Sequence, residues 1–352
     1  MNLDDLKRFK DLDSLDMMAE IDGLPDQLLS AWELGQTQPL PAASDFTSVV
    51  ISGMGGSAIG ADLVAAIVAP VCNVPVIVHR DYGLPAFARA QSTLMVASSH
   101  SGDTEETLDS LDAARKQDCC MLAITTGGEL AKRAAERDVP LWTFKHKGQP
   151  RAAVGYSFGL LLALFTRLKL IPDPGKDVLA AVAAMKELQQ ELRADVHAAN
   201  NPAKRYAGQL VGRWVTVFGS GILAPVARRM KTQINEIAKA AANFEFTPEA
   251  NHNTLAGTLH PEEVMMAHTM NLFLRAPSDH PRNRKRLDLT RQAFMLEGLN
   301  TDVFDARGDT PIAHLWTSIL FGDYMAYYLA MAYGVDPTPV QALVSFKRSM
   351  KE

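Results

Sequence analysis

The sequence predicts an α/β protein built from two doubly wound parallel-sheet domains in tandem, and three observations predict it. Short runs of continuous apolar, β-branched residues alternate with helix-length stretches, the pattern of parallel strands covered on both faces. The pattern occurs twice: Val215-Thr216-Val217-Phe218-Gly219-Ser220-Gly221 lines up with Val49-Val50-Ile51-Ser52-Gly53-Met54-Gly55, as an internal duplication would leave it. The 352 residues are also about twice the ~150 of a typical domain.

Residues 1–40 read as an N-terminal helical segment, broken at Gly23-Leu24-Pro25 and Gln38-Pro39. The first domain is placed at residues 41–172. Its first strand is residues 48–52, followed by the turn Gly53-Met54-Gly55-Gly56-Ser57 and a helix over 58–69. Strands follow at 74–78, 93–97 and 120–124, the last two leading into helices over 105–116 and 128–137. The longest apolar stretch, 152–166, falls short of the ~20 residues that span a bilayer and is flanked by Arg151 and Arg167. It reads as a buried core helix. Ile171-Pro172-Asp173-Pro174-Gly175 marks the boundary, and the second domain, with C-terminal helices, is placed at 176–352. A long helix over 178–198 opens it, a helix-like stretch runs over 228–242, and a loop occupies 247–253. Runs at 271–275 and 301–305 answer the strands at 93 and 120.

Composition narrows the function. Hydrophobic residues make up 47% and charged residues 21%, the balance of a globular protein and not of a disordered or fibrous one. With 35 Lys and Arg against 40 Asp and Glu, the net charge is -5, so nucleic acid is not expected as a partner. The one basic cluster, Arg282, Arg284, Lys285 and Arg286, has no interleaved aromatic residues. Cys72, Cys119 and Cys120 are too few and too close for a disulfide framework, and suit a reducing compartment. The charged N-terminus carries no signal-peptide pattern, so a cytoplasmic protein with no membrane partner is expected.

Two strand-to-helix turns carry the chemistry. In Gly53-Met54-Gly55-Gly56-Ser57-Ala58-Ile59-Gly60 the glycines allow a tight turn, and the following helix offers unpaired N–H groups to an anion. A dinucleotide fingerprint fits it only loosely, because His79-Arg80-Asp81 gives no clear acidic residue at the end of the next strand. In Ser98-Ser99-His100-Ser101-Gly102-Asp103-Thr104-Glu105-Glu106-Thr107 the hydroxyls of Ser99, Ser101 and Thr104 surround one helix N-terminus. Hydroxyls and backbone N–H groups with no lysine nearby suit a phosphate monoester. The competing reading is simple capping, with Asp103, Glu105 and Glu106 favouring the helix dipole. A cap needs one hydroxyl; this loop offers three.

Together these two motifs resemble the sugar isomerase (SIS) domain, a flavodoxin-like fold. Pro150-Arg151, Asn235-Glu236, Pro248-Glu249-Ala250-Asn251-His252-Asn253 and Asp336-Pro337-Thr338-Pro339-Val340 with Lys347 follow in the order of the bifunctional phosphoglucose/phosphomannose isomerases. The chain departs from that pattern at His100, Ile237 and Thr254, where Tyr, Asn and an acidic residue are common. The resemblance implies reversible isomerisation of glucose 6-phosphate and mannose 6-phosphate to fructose 6-phosphate through a cis-enediol, in glycolysis and gluconeogenesis. It implies Glu236 as the proton-carrying base, His252 and Lys347 in ring opening, and Arg151 as the charge that stabilises the enediolate. Gly55, Gly56, Ser57, Ser99, Ser101, Thr104 and Thr338 would bind substrate. No cofactor or metal is implied. The site would lie between the domains of a homodimer, with His252 donated by the neighbour.

The residues themselves support the chemistry, since a carboxylate can shuttle a proton and imidazole titrates near neutrality. Each also has a plainer reading: Glu236 paired with Lys239 or Arg229 on a solvated face, His252 merely exposed, Lys347 a surface charge, Arg151 a helix flank. No metal site is expected, because His260 and His268 around Glu262 and Glu263 lack His-Glu-x-x-His spacing. The rival function is a sugar-phosphate sensor, which needs the phosphate loop and no base. An amidotransferase-linked synthase lacks its nucleophile, since Cys72 is the first cysteine.

Overall fold

A computed structural model describes residues 2–42 and 45–350. The chain divides into two compact units, Leu24–Val182 and a second made of Met1–Gly23 with Ala183–Glu352. Helices α1 (Leu6–Leu12) and α2 (Met17–Asp22) thus belong with the second unit. Phe9 stands 5.9 and 6.0 Å from the rings of Tyr327 and Tyr328, and the buried Lys204 ammonium donates to Asp4 at 3.0 Å. The break at Gly23 is therefore a boundary between units, and α3 (Leu24–Gly35) belongs to the first.

In the first unit β1 (Ser48–Ser52) is followed by α4 (Gly55–Val68), β2 (Val76–His79), β3 (Thr93–Ser98) and α5 (Glu105–Lys116). Then come β4 (Cys120–Thr125), α6 (Gly128–Glu136), β5 (Leu141–Thr143) and α7 (Val154–Arg167). The five strands are all parallel in the order β2-β1-β3-β4-β5. The central strands β1 and β3 are buried along their whole length, as their unbroken apolar sequence requires. Met95, Ala97, Ala123, Leu111, Ala114, Leu130 and Ala134 form the core between the sheet and α5 and α6. Strand order reverses between β1 and β3, so the crevice that such sheets use for ligands opens at the carboxyl ends of those two strands. The short edge strand β5, Leu-Trp-Thr, has too little pattern to be read from sequence.

Helix α8 (Gly175–Leu192) leads into the second unit, beginning and ending earlier than the expected 178–198. Next are α9 (Pro202–Leu210), β6 (Trp214–Ser220), α10 (Ala224–Glu236), β7 (Ala242–Thr247) and α11 (Glu262–His268). They are followed by β8 (Thr269–Arg275), α12 (Pro281–Leu296), β9 (Thr301–Asp305), α13 (Pro311–Tyr333) and α14 (Gln341–Ser349). Its sheet is again all parallel, in the order β7-β6-β8-β9. This repeats the first four positions of the first sheet and bears out the duplication.

The helix expected over 228–242 is corrected here. Helix α10 stops at Glu236, Lys239 turns the chain with φ +56°, and Ala242 already belongs to β7. The half-buried, alternating Ala-Asn-Phe-Glu-Phe-Thr of this edge strand hid it inside an apparent helix. Helix α13 is buried from Ile312 to Ala332, so its sequence shows no polar face to mark it. Among the described residues no helix is long and apolar enough to cross a membrane.

Candidate active site

In the first unit the two predicted turns meet at the β1–β3 switch point. The His100 backbone N–H donates to Ser57 Oγ at 3.2 Å, tying the loop after β3 to the first turn of α4. Within the loop, the hydroxyls of Ser99 and Thr104 lie 2.8 Å apart, Gly102 N donates to Ser99 Oγ at 3.1 Å, and Asp103 N donates to Ser101 Oγ at 3.2 Å. Thr104 precedes α5, yet its side chain makes no capping bond to that helix. Simple capping therefore does not describe Thr104. Ser99 is buried and organises the loop, whereas Ser101 is exposed and Thr104 half-buried.

The Asp103 carboxylate is turned to another task, accepting the Glu129 N–H of α6 at 3.0 Å. An acidic residue can thus stand in an anion loop while its charge serves a neighbouring helix N-terminus.

The two glycines of the first turn do different work. Gly55 has φ +50° and open space where a Cβ would be. At Gly56 a Cβ would lie 2.4 Å from the Pro150 carbonyl oxygen. Its absence lets the turn Pro150–Ala152 settle on α4, which brings the buried Arg151 beside the glycine-rich turn. Gln27 fixes the same turn by donating to the Ala152 carbonyl at 2.9 Å and accepting from Gly155 N at 2.8 Å.

Sequence reasoning missed the wall of this site. His100 Nε2 lies 2.9 Å from His146 Nδ1, and Phe144 and Tyr156 stack at 4.7 Å beside them. The loop Thr125–Gly128 backs the loop after β3: Thr126 Oγ1 donates to the His100 carbonyl at 2.7 Å. Thr125-Thr126-Gly127-Gly128 at the end of an apolar strand was the available signal.

In the second unit Glu236 is the last residue of α10, which has 13 residues, so it stands about 20 Å from that unit's own glycine turn at Gly221. A carboxylate at a helix C-terminus opposes the dipole, and the Lys239 ammonium answers it by donating to the carbonyls of Glu236 at 2.7 Å and Ile237 at 3.3 Å. The same ammonium reaches the Pro337 carbonyl at 3.2 Å, binding the end of α10 to the loop that carries the buried Thr338. Arg229 meets Asp323 at 2.6 Å, with Gln233 donating to the same carboxylate at 3.0 Å. Burial raises the Asp323 carboxyl above its usual range against the pull of Arg229 and Gln233.

His252 ends a short turn, Glu249–His252, and is exposed. Ala250 packs into the cluster of Phe218, Phe273, Leu287 and Phe294, and Asn251 donates to Thr290 Oγ1 at 2.6 Å, so the turn is fixed with His252 outward. The connection from β6 to β7 and the connection from β7 to β8 run in opposite directions across the sheet. Right-handed crossovers then put α10 on one face and the His252 turn on the other. Glu236 and His252 of one chain are thus not brought together. Lys347 lies on α14, a helix with no buried residue. Among the described residues no group of three or more His, Cys, Asp or Glu side chains is placed to hold a metal ion.

The bifunctional phosphoglucose/phosphomannose isomerase of Caldicellulosiruptor bescii is 37% identical over 340 residues, covering 96% of this chain and 99% of that protein. The chain belongs to the bifunctional phosphoglucose/phosphomannose isomerase family. The Thermoplasma acidophilum member is 33% identical, covering 86% of this chain and 89% of its own. The family described as the bacterial phospho-glucose isomerase C-terminal SIS domain matches residues 199–350. A glucose-6-phosphate isomerase like protein from Thermus thermophilus covers 97% of the chain, and the chain covers 99% of it, with a TM-score of 0.64 at 18% identity. That likeness concerns the fold, which is two doubly wound SIS domains in tandem.

Proposed function

We propose that the protein is a bifunctional isomerase that interconverts glucose 6-phosphate and mannose 6-phosphate with fructose 6-phosphate. The observation that carries this reading is the phosphate loop at the β1–β3 switch point. There Ser101 and Thr104 offer hydroxyls at the N-terminus of α5, and Thr104 makes no capping bond to that helix. The 6-phosphate anchors on Ser101, Thr104 and the backbone of Gly55 and Gly56, with Ser57 and Ser99 holding the turns. Thr338 adds a substrate contact. Lys347 and His252 open the ring. Glu236 then removes the C2 proton and returns it to C1, and the fixed charge of Arg151 stabilises the enediolate between the two steps. Glucose and mannose 6-phosphate differ only at C2, so one base and one enediol serve both.

His252 acts from the partner in a homodimer, which its outward turn and its place on the face opposite α10 favour. The substrates and the free thiols Cys72, Cys119 and Cys120 fit a cytoplasmic setting.

A coupled assay of fructose 6-phosphate formed from each aldose tests the reading directly. Binding of both sugars with no turnover would favour the sensor instead. Replacing Ser101 or Thr104 by Ala should weaken 6-phosphosugar binding by roughly 1–3 kcal/mol, the worth of one hydrogen bond to a charged group. An unchanged Michaelis constant in both variants would leave the loop without a ligand.

The machinery proposed is entirely organic, so prolonged chelation should leave activity intact. Loss on chelation and recovery with zinc would overturn the mechanism.

A further inference from the structure

We propose that His100 and His146 form a hydrogen-bonded clasp that positions the Arg151 segment against the phosphate loop, so that breaking it lowers turnover while phosphate binding stays intact. The inference rests on the isomerase reading above. His100 Nε2 and His146 Nδ1 are 2.9 Å apart, with the rings near perpendicular at 84°. A neutral imidazole has one N–H and one bare nitrogen, so at this distance one ring donates and the other accepts.

The backbone of His100 is already committed. Its N–H donates to Ser57 Oγ at 3.2 Å, and its carbonyl accepts from Thr126 N at 3.0 Å and Thr126 Oγ1 at 2.7 Å. The ring base is therefore fixed, and the ring extends to the stretch between β5 and Arg151. Phe144 at 5.9 Å from His100 and Tyr156 at 6.0 Å from His146 confine the two imidazoles to this meeting.

Arg151 is thus held on two sides. Beyond it, Gln27 grips Ala152 and Gly155; before it, the close approach of Pro150 to Gly56 and the His146 bond set the segment against the loop. The phosphate loop keeps its shape through Ser99, Thr104, Gly102 and the Ser101–Asp103 bond, none of which passes through His146. Losing the clasp therefore displaces the group that meets the enediolate and spares the groups that meet the phosphate. His100 and His146 are positioning residues.

The test compares His146→Ala, His146→Phe and His146→Asn, measuring kcat and KM on both aldose 6-phosphates together with Tm. Asn places an amide where Nδ1 stood and keeps the hydrogen bond; Phe keeps the ring and loses it. Ala and Phe should each lower kcat by about three- to tenfold, the range of one neutral hydrogen bond, with KM within about twofold. Asn should restore most of the loss. Wild-type turnover in the Phe variant, a rise in KM alone, or kcat falling in step with Tm in all three variants would overturn the clasp. If the unsubstituted chain turns over neither sugar, the isomerase reading fails separately. Imidazole ¹H–¹⁵N spectra then decide the clasp: a linked Nε2–Nδ1 pair, lost in His146→Ala, supports it, and two unlinked rings overturn it.

Discussion

Replacing Glu236 by Gln should lower turnover of glucose 6-phosphate by about 10²–10⁴-fold, the usual worth of a positioned general base. Gln keeps the size of the side chain and can accept a hydrogen bond, but it cannot take a proton from C2. The structure gives reasons to expect the loss to be clean. Lys239 holds the end of α10 through the carbonyls of Glu236, Ile237 and Pro337, and these bonds do not use the side chain being changed. The fold around position 236 should therefore survive, and the Michaelis constant should stay near its original value because the phosphate loop belongs to another unit. Glucose and mannose conversion should fall together, since both pass through one enediol. Kinetics of both sugars on this one variant check the point. Survival of either activity alone would mean two bases.

The turn from Ser99 to Thr104 and the helix start after it were legible because their signal is local. Three hydroxyls, a glycine and a helix start within a few residues state their geometry directly, and β1, α5 and β9 fall on the expected residues. The position of Glu236 was not legible in the same way. The sequence reads it as part of a helix-like stretch over 228–242, and α10 carries it a full helix length from the second glycine turn, to the opposite end of the sheet. Sequence distance along a helix is also distance in space. The His100–His146 contact was hidden for the opposite reason: 46 residues separate two rings that the sheet order β3-β4-β5 brings side by side. Lys239 is a third kind of case. The sequence offers it as an ion-pair partner for Glu236 and does not show that its ammonium, at a position with φ +56°, reaches the carbonyls of Glu236, Ile237 and Pro337.

Gly102→Ala should be the most damaging small substitution in the first unit. Gly102 has φ +76°, which costs a residue with a Cβ about 1–2 kcal/mol. The added carbon would also lie 1.9 Å from the Gly127 carbonyl oxygen and 2.8 Å from its carbon, so backbone must move on one side or the other. Either movement strains the bonds that Gly102 makes, its N–H to Ser99 Oγ at 3.1 Å and its carbonyl to Leu130 N at 2.9 Å. Losing both adds about 0.5–1.5 kcal/mol each, for a total of roughly 2–5 kcal/mol against a folding stability of about 5–15. The same movement pulls Ser99 away from Thr104, so KM for the 6-phosphosugars should rise at least tenfold in whatever fraction remains folded. Gly55→Ala supplies the control. It too has a positive φ, +50°, but nothing stands within 4 Å of the added carbon, so its cost should be the conformational ~1–2 kcal/mol alone. The Tm values of the two variants, measured side by side, separate backbone strain from collision. Equal losses in both would mean that the contact between the loops at Gly102 and Gly127 does not hold the phosphate site together.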